Sequence, residues 1–439
     1  MTKRCSIREW GELRIASAGD EIGAVTRNEA DQLLRIAGHA SEQLGLGGED
    51  GARILSEGRS RLRAGQVVGL LAARDVSLEI LPKIDGADDG RTRENLIRML
   101  SVAIDLPISG GAIANLGVQR FDLIEILIRL FCERLFEAVH RGLPRRYVEC
   151  SDDLPLLRGR LNVIRQFTAH AGAPQKLACH YEELSPDVPL NKIMKAAITK
   201  LRGLARAPDN QRLLSELAIA FAEVLDVEIN QLRWDQVVLD RTNRVWADLL
   251  KLARLLLGKR FQTTSAGAYV GFSLLFEMNT LFEEFIGRVM RRALQADGYR
   301  ISLQSMKGHA LIDGDGKGRF ATIPDIFVHT RDQDEWIIDT KWKRLKGHID
   351  DPRHGVSQAD VYQMMAYSQI HRCRRLMLLY PHHADIGREP GRIGEYVVSG
   401  TDDTRLVIAT VDLSDLRTVP AQLIRLIRSD SGVSIMAVA

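Results

Sequence analysis

The sequence predicts an α/β chain in three parts: a strand-rich N-terminal part over residues 1–110, a mainly helical middle over 111–262, and a C-terminal part over 263–439 with a mixed sheet flanked by helices. Three observations predict it. Apolar runs of strand character cluster near both ends, helical periodicity dominates the middle, and 439 residues exceed one ordinary core.

Near the start, Gln66–Leu71 and Val76–Leu81 read as two strands joined through Ala72 to Asp75, a hairpin-like signal. The Gly- and Asp-rich stretch Asp85–Gly90 separates them from a helix over Glu94–Ile104. A long helix is expected over Phe121–His140, where Leu123, Ile124, Leu127, Leu130, Phe131 and Leu135 recur at helical spacing. Helices over Lys192–Ala205, Leu213–Val224 and Asn243–Leu257 make the middle a helical connector, and Gly258–Gly271 is the expected boundary. The last part then opens with a helix over Ser273–Leu294, striped with Leu274, Met278, Leu281, Phe282, Phe285 and Val289. Strands carrying Asp325 and Asp339 follow, then a helix from Ser357 to about His371. The strand Leu376–Tyr380 is stopped by Pro381, and strands near Glu395–Val398 and Leu406–Val411 complete the layout.

A hydrophobic content of 45% and a charged content of 27% describe a globular chain and exclude a disordered one. The net charge of +3 excludes a supercharged tail, leaving phosphate contacts to clusters such as Arg288, Arg291, Arg292 and Arg372, Arg374, Arg375, although such clusters are more often solvated helix faces. Five cysteines, odd in number and without a C-x-x-C pair, point to neither a disulfide framework nor a structural zinc site. The N-terminus, with Arg4, Arg8, Glu9 and Glu12, lacks a signal-peptide core, and no run approaches about 18 apolar residues. The chain is therefore expected in the cytoplasm, away from membranes. Gly314–Gly318, G-D-G-K-G, has Gly and not Ser or Thr after Lys317, so it reads as a hairpin turn and the chain is not expected to hydrolyse a nucleotide itself. His382 and His383 have no metal-spaced partner and read as loop residues.

The chemistry concentrates in Ile323-Pro324-Asp325-Ile326 and Glu335-Trp336-Ile337-Ile338-Asp339-Thr340-Lys341. On a strand, Asp339 and Lys341 project from one side while Thr340 points away, and a turn around Arg331 to Asp334 lets Asp325 meet Asp339 across paired strands. Carboxylates so close repel one another unless a cation joins them, and Mg²⁺, held by one or two carboxylates with waters and phosphate oxygens, is the natural occupant. Lys341 would orient or help deprotonate an attacking water and offset charge on the transition state, which makes this a candidate site of phosphodiester cleavage. The competing reading is a turn aspartate after Pro324 and a solvated strand face. Ile337, Ile338 and Trp342 beside the acid and the lysine weigh against it.

On the following helix Asp360, Gln363 and Tyr367 share one face, which could hold Lys341 or meet DNA phosphates; an exposed amphipathic face is the bland alternative. A third acid could come from the preceding helix, from Glu277, Glu283 or Glu284. Glu277 is favoured because Phe276 and Met278 flank it with core-like residues, with a satisfied surface Glu as the alternative.

Together, Phe276-Glu277-Met278-Asn279, Pro324-Asp325, Asp339-Thr340-Lys341-Trp342-Lys343 and Tyr362-Gln363-Met364-Met365-Ala366-Tyr367 resemble the McrC family, the nuclease subunit of McrBC-type modification-dependent restriction systems. Leu78-Glu79-Ile80-Leu81-Pro82-Lys83-Ile84 resembles that family's I-E-I-L-P-K-I segment, and Leu157-Arg158-Gly159-Arg160-Leu161 with Asn191 resembles its central region. The resemblance covers most of the chain, and D-T-K-W-K and E-I-L-P-K are its most specific segments. It implies a C-terminal PD-(D/E)xK endonuclease domain with Asp325, Asp339 and Lys341 as the catalytic set, assisted by Glu277, Gln363 and Tyr367. It also implies Mg²⁺ on Asp325, Asp339, the Thr340 main-chain carbonyl and Glu277.

The implied partner is a McrB-like AAA+ GTPase that binds the GTP, recognises modified cytosine in double-stranded DNA and translocates it. This chain's N-terminal region would enter the partner ring and stimulate GTP hydrolysis; Arg158 and Arg160 could act there or be structural. Two other readings stand beside this one: a non-catalytic NTPase-stimulating adaptor, and a stand-alone RecB-like DNA repair nuclease. The intact D…D-x-K set argues against the first and E-I-L-P-K against the second.

Overall fold

The computed structural model describes residues 3–16, 23–44, 54–106, 122–170, 172, 175–241, 244–258, 261–266, 269–305, 308–329, 334–345, 355–401 and 403–428. The chain is divided between two units, Met1–Leu123 with Gln262–Ala439, and Ile124–Phe261. Of the expected turn around Arg331 to Asp334, residues 331–333 lie outside the described residues, as does the expected helix start at Phe121.

In chain order the first elements are β1 (Lys3–Arg8), β2 (Glu12–Ile15), β3 (Ala24–Val25), α1 (Arg27–Leu44), β4 (Leu55–Glu57), β5 (Arg61–Ala64), β6 (Val67–Ala72), β7 (Val76–Leu81) and α2 (Asp89–Ala103). The middle carries α3 (Leu123–His140), β8 (Arg146–Leu154), β9 (Arg160–Leu161), α4 (Val163–Thr168), β10 (Leu177–Ser185), α5 (Pro189–Arg202), α6 (Pro208–Ala220) and α7 (Ala247–Leu257). Then come β11 (Phe261–Ala266), β12 (Tyr269–Glu277), α8 (Met278–Leu294), β13 (Arg300–Leu303), β14 (Gly308–Ile312), β15 (Gly318–Thr322), β16 (Ile326–His329), β17 (Asp334–Thr340), α9 (Gln358–His371), β18 (Arg375–Pro381), β19 (Arg392–Val397), β20 (Arg405–Val411) and α10 (Val419–Arg428).

In the first unit, β6 and β7 pair antiparallel as the hairpin-like signal predicts, and every residue of both is buried. They sit inside a five-stranded sheet ordered β1-β7-β6-β12-β11. One face of it packs with α1 and the small sheet β3-β2-β5-β4 around Leu33, Leu62, Leu71, Val76, Leu78 and Leu275. Glu79, buried in β7, is closed by the guanidinium of Arg93, with N–O distances of 2.9 and 2.5 Å. Gly69 carries a φ of +132°, and a Cβ there would lie 1.9 Å from the Leu274 carbonyl oxygen of β12, so the close pairing requires glycine.

That pairing corrects the expectation of a helix from Ser273. Residues Phe272–Glu277 pair with Val67–Ala72, and the helix begins only at Met278. A short apolar run fits a strand or a buried helical turn equally well, and the neighbouring strand β6 supplies the hydrogen bonds that decide it.

The second sheet of this unit has the order β13-β16-β17-β18-β20-β19. Its centre is parallel, β17 with β18 and β18 with β20, and its flanks are antiparallel. Leu376–Tyr380 are buried on both faces, as an interior strand demands. α9 covers one face over Phe327, Ile337, Met364, Leu376, Leu378 and Ile408, and Ser357 caps the helix by accepting from the Asp360 amide. α8 packs against α2, α10, β13 and β17. The glycine-rich segment after β14 does form a hairpin turn: the Asp313 amide donates to the Lys317 carbonyl (2.9 Å) and Gly316 takes a φ of +76°.

In the second unit α5 packs against α6 and against α7, with Ile193, Met194, Ala197, Leu214, Leu249 and Leu256 buried, and Pro189 and Pro208 open two of the helices. The mainly helical expectation named no strand here, and the unit carries a three-stranded antiparallel sheet, β8-β10-β9. β8 is largely exposed and therefore lacks the apolar alternation that marks a strand packed on a core. All five cysteines are free. Among the described residues no helix is long and apolar enough to cross a membrane.

Candidate active site

The antiparallel register of β16 and β17 sets Ile326 opposite Ile338, so Asp325, just before β16, comes to the end of β17 that carries Asp339. Asp325 is fixed by Thr340, whose amide (2.7 Å) and hydroxyl (2.8 Å) both donate to its Oδ2. Thr340 therefore does not turn away from the site as strand alternation predicts. Asp325 lies in the bend ahead of its strand, where its side chain reaches across to the neighbouring residue. The Asp325 carbonyl also accepts from the amide of Gln304, at 3.0 Å.

Asp339 is 1% exposed, and its Oδ2 is met by the Lys341 ammonium, 2.6 Å away, as an ion pair. The same ammonium donates to Gln363 Oε1 (3.1 Å), and Gln363 Nε2 donates to the Tyr367 hydroxyl (2.8 Å). Three residues singled out on the sequence thus form one chain, Lys341 to Gln363 to Tyr367. Asp360, on the same helix, pairs instead with Lys343, 3.0 Å away.

Burial, and then the nearby carboxylate of Glu283, push the Asp325 carboxyl up to about 6 against the Thr340 bonds and Lys341. Burial and then Asp325 likewise push Asp339 up to about 6, with Lys341 opposing. Burial pulls Lys341 down, but Asp339, Asp325 and Asp360 outweigh it and hold the ammonium above its ordinary value. Such a pair is costly as two anions and is relieved by a proton or a cation.

The helix acids are placed differently from the expectation. Glu277 is an exposed residue at the N-cap of α8, where it accepts from the Thr280 hydroxyl (3.3 Å), and it is not among the groups that shift the carboxylate pair. Glu283, half-buried further along α8, is raised by burial, and Asp339 adds to that rise; Gln304 Nε2 donates to it at 2.8 Å. Glu283 is the helix acid whose charge acts on the pair, and Gln304 links it to Asp325, donating to Glu283 through its side chain and to the Asp325 carbonyl through its main-chain amide. The strand β12 runs through Glu277 and the helix starts at Met278, so Glu277 precedes the helical face that Glu283 occupies. Gln304 carries no sequence signal, being a lone amide after a short strand.

Among the described residues no group of three His, Cys, Asp or Glu side chains stands ready to hold a metal ion. Two buried carboxylates with one ammonium beside them nevertheless fit Mg²⁺, which commonly takes one or two protein carboxylates and completes its shell with water and phosphate oxygens.

The family model for the McrBC 5-methylcytosine restriction system component matches residues 62–381, a span that contains the whole carboxylate–lysine site and the buried β6–β7 pair. The chain belongs to that family. Among solved structures, this McrBC component is similar to a chain from a refined half-complex of the tetradecameric assembly of Thermococcus gammatolerans McrB AAA+ hexamers with bound McrC. The two are 22% identical, with a TM-score of 0.74 and coverage of 98% of this chain and 100% of that one, a likeness of fold. A chain from the cryo-EM structure of the Thermococcus gammatolerans McrBC complex is 27% identical, with a TM-score of 0.55 over 66% of this chain and 88% of that one. No curated protein matches the chain.

Proposed function

We propose that this McrBC component is the Mg²⁺-dependent DNA endonuclease subunit of a modification-dependent restriction system, with a PD-(D/E)xK-type site. The observation that carries the reading is the convergence of the buried carboxylates of Asp325 and Asp339 beside the single ammonium of Lys341, which stands 2.6 Å from Asp339 Oδ2. Asp325, whose Oδ2 is taken up by Thr340, would offer its other oxygen, and Asp339 and the Thr340 carbonyl would complete the protein's share of the metal shell. Mg²⁺ held there would supply Lewis-acid charge to a phosphoryl oxygen and lower the pKa of water. Lys341, steadied by Gln363, would orient the attacking water and neutralise charge developing on the phosphate. Tyr367 holds Gln363 in turn, so the helix face keeps the ammonium aimed.

Family membership extends the reading to a partner. In the Thermococcus assembly McrC is bound to McrB AAA+ hexamers. We infer an AAA+ GTPase partner for this chain too, one that binds the GTP and selects double-stranded DNA with modified cytosine. The second unit suits docking: Leu156, Leu157, Ile164 and Phe167 around its small sheet are exposed apolar side chains, the kind of surface that partners cover.

The test is cleavage of methylated and unmethylated plasmid with Mg²⁺ and GTP, with and without the AAA+ partner, for wild type and Asp339→Ala. Cutting that requires partner, GTP and Asp339 is expected. Cutting by the isolated chain would instead support a repair nuclease, and faster GTP turnover without cutting would support an adaptor.

A further inference from the structure

Trp342 follows the candidate lysine directly, just beyond the end of β17, where its own peptide groups have left the ladder that holds the strand. Side chains take the ladder's place. The Trp342 amide donates to Asn279 Oδ1 (3.2 Å), while Gln66 Nε2 donates both to that same Oδ1 (3.1 Å) and to the Trp342 carbonyl (2.8 Å). The three residues close a ring through the main-chain N–H and C=O of Trp342. The indole N–H of Trp342 donates to Glu9 Oε1 at 2.7 Å, and the amide of Lys83 donates to the same oxygen at 2.8 Å. The indole ring itself meets Phe282 edge-on, 5.3 Å between centroids, and is 6% exposed.

These contacts come from distant parts of the chain. Glu9 follows β1, Gln66 precedes β6, Lys83 follows β7, and Asn279 and Phe282 lie on α8. E-I-L-P-K and D-T-K-W-K therefore meet at one carboxylate, which is 2% exposed and keeps Oε2 buried without a hydrogen bond. A buried carboxylate is retained at a cost, and a group that fixes an indole beside a candidate lysine gives that cost a use. On its other side Lys341 is anchored by its own amide, which donates to the Leu379 carbonyl (2.9 Å) and carries the β17–β18 register one residue further. The Lys341 backbone is thus held from both directions, by β18 before it and by the N-terminal sheet after it.

We propose that Gln66 and Glu9 are positioning residues for Lys341, acting through Trp342, so that the first sheet of the unit forms part of the nuclease machinery. The catalytic part of this claim rests on the nuclease reading above; the clamp itself does not. Gln66→Glu keeps the shape of the side chain but replaces its donor with an acceptor facing two oxygens, and Glu9→Gln is the second variant, should the first fold poorly.

Two measurements on the full chain separate the claims. Hydrogen exchange by mass spectrometry is expected to quicken about tenfold in peptides spanning 341–345 in Gln66→Glu and Gln66→Ala alike, with β18 and α9 unchanged, the scale of losing one or two net hydrogen bonds. With the partner, Mg²⁺ and GTP, kcat for cleavage is expected to fall about tenfold at unchanged KM for DNA. Unchanged exchange in 341–345, or exchange that quickens across the whole sheet, overturns the clamp whether or not the protein cuts. Quickened exchange with wild-type kcat overturns the positioning role alone. A wild type that never cuts sinks the nuclease reading and leaves the exchange result to decide the clamp.

Discussion

Replacing Asp339 by asparagine is expected to stabilise the metal-free protein at neutral pH. The carboxyl is 1% exposed and is pushed from 3.8 up to about 6, first by burial and then by Asp325, with Lys341 already offsetting part of the rise. A folded value above the unfolded one means that the proton binds the fold more tightly. Stability is complete below about pH 4 and is lost as pH rises through about 6. At about 1.4 kcal/mol per pH unit the loss amounts to about 3 kcal/mol. The Asp339→Asn side chain would keep the shape and shed that loss, though Lys341, left with Asp325 and Asp360, would return some of it. The assay is urea unfolding of wild type and Asp339→Asn in chelator between pH 4 and pH 8. The variant's advantage should be near zero at pH 4 and grow towards pH 7, staying below about 3 kcal/mol by the share that Lys341 returns. Added Mg²⁺ should reverse the order by binding the folded wild type alone. A difference that is flat with pH, or that favours wild type at pH 7 in chelator, would refute the assignment of burial and repulsion as the cause.

Three further outcomes follow from the same contacts. Glu283→Gln should raise the Mg²⁺ concentration needed for half-maximal cleavage by about tenfold, as loss of an outer-shell group does, while Glu277→Gln leaves it unchanged; a Mg²⁺ titration of cleavage distinguishes them. Arg93→Ala strands the buried Glu79 carboxylate and should cost about 3 to 5 kcal/mol in denaturant unfolding, whereas loss of the exposed Arg61–Glu12 pair should cost less than about 1 kcal/mol. Gly69→Ala forces a Cβ against the Leu274 carbonyl at a positive φ, and circular dichroism should show a melting midpoint at least about 4 °C lower; an unchanged midpoint would mean the β6–β12 pairing yields without strain.

Much of the site was legible in the linear sequence because its parts sit on short, strongly patterned stretches. Asp339 and Lys341 lie two apart at the end of a strand rich in β-formers, and Gln363 and Tyr367 four apart on a helix, spacings that place side chains without knowledge of the rest of the fold. Glu283 was not legible in preference to Glu277, because the choice turns on where β12 ends and α8 begins, and the pairing partner β6 that sets this point lies far away in the chain. The small sheet of the second unit escaped for a related reason: with much of β8 exposed to water, no apolar rhythm records the strand.

By itself, then, the sequence determined the residue chemistry: two acids, a lysine and an amide–phenol pair at spacings that local backbone geometry turns into shared faces. Only the tertiary structure decided that Thr340 holds Asp325, that Glu283 crowds the pair, and that Glu9 and Gln66 grip Trp342. Periodicity reports which face of an element is buried. It carries no information on which distant element covers that face, because contacts between residues far apart in the chain depend on how whole sheets and helices pack.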